Sequence, residues 1–170
     1  LEAQLDDLRK CEDTAELDEI RAELIRAGYL RAAHTRGKPK KPAPSRPMRF
    51  VSSDGIRIQV GRNSAQNDRL TAAAPGEALW LHAKNMAGSH VIVGKEGDVP
   101  ERTLREAALL AAFYSQGYRS AQVPVDYTLR KHVKKPAGSP AGFVLYAHQR
   151  TLYVTPDEQA VKKLSEDAHD

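Results

Sequence analysis

The residues best equipped for chemistry lie between Leu79 and Gly94, in LWLHAKNMAGSHVIVG. His82, Lys84, Asn85, Gly88, Ser89 and His90 stand there between two apolar runs. A serine beside a histidine, with His82 and Asp68 not far away, could supply a nucleophile and its base. Such a hydrolase needs a spatial constellation that spacing alone does not create. No G-x-S-x-G nucleophile elbow accompanies the pair. The alternative is turn chemistry: Gly88-Ser89 turn tightly, and His82 and His90 face each other across two strands. A metal centre has less to build on. The two histidines are eight residues apart and Cys11 is the sole cysteine, so recognised zinc spacings are missing. No G-x-x-x-x-G-K-[ST] loop occurs, although Gly61-Arg62-Asn63 and Gly88-Ser89-His90 could still offer amides to a phosphate. The expectation is therefore no catalytic residue, no metal and no cofactor.

Nucleic-acid contact gathers more of these residues. Strand alternation puts Trp80, His82 and Lys84 on one face and Leu79, Leu81 and Ala83 on the other. An aromatic, an imidazole and an ammonium in a row can stack a base and hold a backbone, unless Trp80 is core, the placement we favour. Arg130, Lys131, Lys134 and Lys135 form a second cluster just after Tyr127. Four cations so close repel one another unless solvated or facing an anion, and phosphates give affinity without sequence specificity.

Charge segregation agrees. The net charge is +4, yet residues 1–27 hold nine acids and four bases. Residues 31–49 hold Arg31, Arg36, Lys38, Lys40, Lys41, Arg46 and Arg49 and no acid. Such a split suits a polyanion partner or a solvated basic linker. No apolar run nears 18 residues, no signal-peptide pattern opens the chain, and a lone cysteine fits a reducing cytoplasm. No membrane partner is expected.

The elements that must position these groups follow from periodicity. Residues 1–30 read as two amphipathic helical pieces, with Leu1, Leu5, Leu8 and then Leu17, Ile20, Leu24 as apolar stripes. Asp13 to Glu16 has the form of a capping box, and Gly28 suits the residue after a helix end. Residues 31–47, with Pro39, Pro42, Pro44 and Pro47, read as an extended basic linker. The main domain is expected over 48–158 and a polar tail over 159–170. Residues 50–61 predict a hairpin turning at Ser53-Asp54-Gly55, followed by a polar stretch from Arg62 to Arg69. Strands are expected at 79–83, 91–93, 121–129, 142–147 and 151–154, the last two as a hairpin turning near His148-Gln149-Arg150. Residues 98–116 predict a helix capped by Asp98, with Leu104, Ala107, Ala108, Ala111 and Ala112 on one close-packed face and Gly117 at its end. The order argues α+β: a mostly antiparallel sheet with one main helix packed on it, preceded by short amphipathic helices.

Five segments in order, GRNSAQNDRLT (61–71), LWLHAKNMAGSHVIV (79–93), LREAALLAAFYS (104–115), VPVDYTLRKHVKKPAGSPAGFVLY (123–146) and TLYVTPDE (151–158), resemble the RNA-binding, or NFACT-R, domain of the NFACT family. Residues 1–30 resemble the end of the coiled-coil region that precedes it in bacterial members. The resemblance implies a part of a ribosome quality-control factor that binds stalled large ribosomal subunits and tRNA and supports C-terminal alanine tailing, with peptide transfer left to the ribosome. It implies large-subunit RNA and tRNA as partners, in the cytoplasm. Gram-positive members have also been called fibronectin-binding proteins, so an adhesin-type protein-interaction module is the alternative, with fibronectin as partner. The matched polar positions are Arg62, Asn63, Asn67, Asp68, His82, Lys84, Ser89, His90, Asp126, Tyr127, Lys131, Lys134 and Lys135. Of these, Arg62, Asn63, His82, Lys84, Ser89, His90, Tyr127, Lys131, Lys134 and Lys135 are the candidate RNA contacts. His82 and Lys84 lead, whereas Asn67 and Asp68 suit local backbone bonding. Asn85 stands where many members have Asp, and Met86-Ala87 where an apolar residue and Pro are common. The oligomeric state stays open.

Overall fold

The computed structural model describes residues 2–12, 14–31 and 44–165. Six strands form one sheet in the order β1-β2-β4-β3-β5-β8, every neighbouring pair antiparallel. Helix α4 lies on one face, so the α+β expectation holds. The β1 (Met48–Val51) and β2 (Arg57–Val60) hairpin turns where expected, with Gly55 at a positive φ of 74°. Strands β3 (Ala78–Ala83), β4 (Val91–Glu96) and β5 (Val123–Leu129) also match their predicted runs.

On the first face, Phe50, Ile58, Val60, Leu81, Val91, Val93, Val123 and Val125 meet Ala107, Ala108, Ala111 and Ala112 of α4 (Glu101–Phe113). Methyl-sized side chains let the helix sit close, and each buried Val or Ile contributes about 1.5–3 kcal/mol. The helix begins at Pro100 without a side-chain cap, so Asp98 does not serve as expected. The described part of the segment expected to be a polar tail, 159–165, instead packs on the core. Asp157 caps α5 (Glu158–Leu164), which buries Val161 and Leu164.

The second face of the sheet carries Trp80 and Ile92, as alternation requires. It is covered. Leu70 of α3 (Ser64–Ala73) and Val133 pack on Trp80, with Val144 and Tyr146 beside them. The polar stretch after β2 is thus a helix. Asn63 caps it by accepting from the Gln66 amide at 2.8 Å. The expected hairpin over 142–154 does not form. A two-residue strand β7 (Leu145–Tyr146) pairs with β6 (Val133–Lys134) into a separate ribbon, while β8 (Arg150–Val154) pairs with β5. His148, at φ 56°, turns the chain between them.

The N-terminal helices α1 (Glu2–Lys10) and α2 (Thr14–Arg26) invert the expected pattern. Gln4, Asp6, Asp7, Glu16 and Glu23 are buried, while Leu5, Leu8 and Leu17 face solvent. Among the described residues of the predicted stripes, only Ile20 is fully buried. The two helices therefore dock through polar groups. Gly28 at φ 80° closes α2, its amide bonding the Ile25 carbonyl and that of Tyr29 the Leu24 carbonyl. Leu1, the Asp13 capping box and most of the basic linker lie outside the described residues.

Candidate nucleic-acid interface

The matched polar residues fall into two groups with different surroundings. The first is a buried knot at the start of α3. Gly61 passes so close to Asn67 that a Cβ there would lie 1.9 Å from Asn67 Oδ1. That approach lets Asn67 accept from the His90 amide at 3.0 Å and donate to the Gly88 carbonyl at 3.2 Å. His90 Nδ1 pairs with Thr71 Oγ1 at 2.8 Å. Gly88 has the same reason to be glycine, since its Cβ would meet that of Ser115 at 2.9 Å. Asn85 takes the left-handed conformation at φ 55° in the β3–β4 connection, which asparagine tolerates.

The N-terminal helices dock their acids onto this knot. Asp7 Oδ2 accepts from the Ser64 amide at 2.9 Å and its hydroxyl at 2.8 Å, an anion at the N-terminus of α3. Arg62 reaches Glu16 at 2.8 Å and Glu12 at 2.9 Å. Glu19 accepts from Asn63 at 2.7 Å and Ser45 at 2.8 Å and pairs with Arg69 at 2.8 Å. Burial pushes the Glu19 carboxyl up, but the Asn63 and Ser45 bonds and the Arg69 charge outweigh it and hold the pKa low. Lys10 pairs with Asp6 at 2.8 Å and donates to Ser89 Oγ at 3.3 Å. Asn63 and Ser89 are consequently buried, and His90 is buried beside Trp80 and Thr71. The surface they share with RNA in the sequence-based expectation is occupied here by α1 and α2.

The histidines face each other, as the turn-chemistry alternative required. The His82 and His90 rings meet edge to face at 5.3 Å, and both contact Trp80. Burial and then the Lys10 charge push the His82 pKa down to about 4. Burial, with His82 next, holds His90 well below its ordinary value. Both rings are neutral at pH 7 and offer no cation to a phosphate. Ser89 meets the Asp6-paired Lys10 rather than a histidine, and the paired nitrogen of His90 belongs to Thr71. Among the described residues no group of three or more His, Cys, Asp or Glu is placed to hold a metal.

The second group is the basic loop after β5. Arg130 donates to the Thr71 and Ala72 carbonyls at 2.8 and 3.0 Å, at the C-terminal end of α3, where a cation is favoured. Lys131 pairs with Glu77 at 2.7 Å. Lys135 pairs with Asp68 at 3.0 Å and bonds the Pro140 carbonyl. Arg130 and Lys135 tie the β6–β7 ribbon and its loop to α3, and Lys131 ties them to the loop before β3. Tyr127 packs on the α4 side of the sheet, away from the ribbon. Lys134 is exposed, Lys84 partly so, and neither forms an ion pair with a described residue. The spacing of Asn63-Ser64-Ala65-Gln66, an Asx residue three before Gln, was the available signal for α3 and hence for the loop's partners.

Residues 46–146 match the family model for the NFACT protein RNA binding domain. The chain belongs to the NFACT RNA-binding domain family. The family domain here is similar to "Rqc2 homolog RqcH" of Bacillus subtilis (strain 168), with 43% identity over 152 residues, 88% of this chain and 26% of that protein. The protein of the same name from Streptococcus suis (strain 05ZYH33) is 43% identical over 153 residues, 88% of this chain and 27% of that protein. The chain thus spans about a quarter of the length of these curated relatives. A solved structure, the C-terminal part of the fibronectin/fibrinogen-binding protein of Streptococcus suis, superimposes with a TM-score of 0.86 at 40% identity. It covers 96% of this chain and 65% of that one. No helix among the described residues is long and apolar enough to cross a membrane.

Proposed function

We propose that this NFACT domain is the RNA-contacting module of a ribosome quality-control factor. In that role it binds large-subunit RNA and tRNA in the cytoplasm and supports C-terminal alanine tailing. The observation that carries the proposal is the similarity to the RqcH proteins over 88% of the chain, through the domain and into the N-terminal helices. The module performs no chemistry itself. Buried Ser89, whose hydroxyl meets the Asp6-paired Lys10, and two neutral histidines support a binding role. Phosphate binding through exposed lysines makes affinity fall steeply with salt, by a log–log slope of about 0.7–0.9 per contact.

The test is binding of labelled tRNA and of purified large subunits to the chain across a salt series. Saturable binding with a negative slope is expected. Salt-independent binding, or none to either RNA, contradicts the proposal. The structural neighbour named for fibronectin and fibrinogen favours a second reading, a protein-interaction module. Immobilised fibronectin in the same buffers separates the two. Binding to fibronectin in the absence of RNA binding would select the second.

A further inference from the structure

From Tyr127 to Pro156 the chain contains five Lys or Arg and no Asp or Glu. Three of the five, Arg130, Lys131 and Lys135, are tied to α3 or to the loop before β3. Lys134 and Arg150 remain exposed and form no ion pair with a described residue. Lys134 lies on the β6–β7 ribbon, whose two faces differ sharply. Val133 and Tyr146 are partners in register, and both turn inward onto Trp80. Lys134 and Leu145 are the next pair, and both turn outward. Val144 packs inward, and Phe143 precedes β7 at the end of a turn closed by its own amide bonding the Pro140 carbonyl at 3.1 Å. Phe143, two residues before Leu145, is 50% exposed and Leu145 58% exposed. At the far end the ribbon is extended by the Ala147 amide bonding the His132 carbonyl, and the rings of His132 and His148 meet at 4.6 Å.

The ribbon is firmly seated, so its outer face is presented and not merely loose. Tyr146 Oη donates to Asp126 at 2.7 Å, and Thr151 donates to the other carboxylate oxygen at 2.6 Å. Asp68 takes Lys135 with one oxygen and the Gly142 amide, at 3.1 Å, with the other. Thr128 bonds the Ala147 carbonyl at 2.9 Å. Burial, with the neighbouring Asp126 carboxylate, holds the Tyr146 phenol well above its ordinary pKa.

We propose that the outer face of the β6–β7 ribbon, with Phe143, Leu145, Lys134 and the His132–His148 ring pair, receives unpaired RNA bases. The inference rests on the RNA-binding reading and names where it happens. An exposed aromatic flanked by cations, on a stretch free of acids, has the chemistry of a stacking platform with phosphate contacts at its margin. Every base has a π-face, so the platform selects single strands over duplex and not one sequence over another. A groove elsewhere, about 490 Å³ between α3 and β2–β4, lacks an aromatic ring in its wall.

The test measures anisotropy of a labelled single-stranded RNA oligonucleotide and of the corresponding duplex, with tRNA alongside, on the full chain, and co-sedimentation of the chain with purified large subunits. The variants are Phe143→Ala, Phe143→Tyr, Phe143→Leu and Lys134→Ala. Phe143→Ala should weaken single-strand binding about fivefold or more with an unchanged salt slope. Phe143→Tyr should restore it and Phe143→Leu should not. Lys134→Ala should lower the salt slope by about 0.7. Phe143 lies outside both core clusters, and a circular dichroism spectrum checks that each variant is folded. If wild type binds tRNA and Phe143→Ala binds equally well, the ribbon is overturned while the RNA-binding reading stands. If wild type binds no RNA, both fall. If Phe143→Ala loses large-subunit binding yet keeps naked RNA, the ribbon faces a ribosomal protein and the proposal is wrong.

Discussion

The knot at the start of α3 and the outer face of the β6–β7 ribbon are both rich in groups that could hold RNA, but only one is open. In the knot, Asn63, Asn67, Ser89 and His90 are buried and hydrogen-bonded to backbone, to each other's elements or to the N-terminal helices. On the ribbon, Lys134, Leu145 and Phe143 face water. The contrast shows that polar density in a sequence does not mark a surface. Buried polar groups need partners, so a dense run of them is equally the sign of an interface within the chain.

Disrupting the knot should cost stability. Arg62→Ala removes the guanidinium paired with buried Glu16 at 2.8 Å, a loss of about 3 kcal/mol in denaturant unfolding. The loss should be accompanied by faster hydrogen exchange in α2. Next in size is pH. The His82 ring is held neutral in the fold with its pKa at about 4, against 6.5 when unfolded. A depressed histidine is fully stabilising above pH 6.5. Its contribution is lost as the unfolded chain takes up the proton between pH 6.5 and about 4. The shift corresponds to about 3 kcal/mol at most. His90 adds in the same sense. Asp7 and Glu23, both raised by burial, oppose it as they take up protons in acid. His82→Gln should flatten the stability curve across that window, measured by thermal melts. Asn67→Ala unpairs the His90 amide and the Gly88 carbonyl and should cost about 2 kcal/mol in the same unfolding assay. Ser89→Ala removes one long bond from Lys10 and should cost under about 1 kcal/mol, leaving RNA affinity unchanged.

Much of the fold was legible because two periodicities carry it. Alternation placed β1 to β5 and put Trp80 opposite Leu81, and the run of alanines placed α4. Pairing was not legible. Alternation says that 145–146 and 150–154 are extended but not that one joins Val133 and the other joins β5. Helix α3 was hidden because Arg62 to Arg69 is polar on every face. That polarity is explained by the acids of α1 and α2 on one side and the backbone of the β3–β4 connection on the other. The N-terminal helices run against the expectation because leucine stripes are ordinarily the buried side. Here Asp6, Asp7 and Glu16 are buried instead, since Lys10, Ser64 and Arg62 meet them. Lys131, Lys134 and Lys135 look equivalent in sequence, and Glu77 and Asp68, distant along the chain, set two of them apart.

One measurement reads both regions together: lysine-selective acetylation of the chain, quantified by mass spectrometry with and without bound tRNA. Protection of Lys134 by tRNA is predicted, with Lys131 and Lys135 little changed and Lys10 slow to react in both states. An unprotected Lys134 together with a newly reactive Lys10 would mean that RNA displaces α1 and takes the polar knot, and would contradict the assignment of the ribbon.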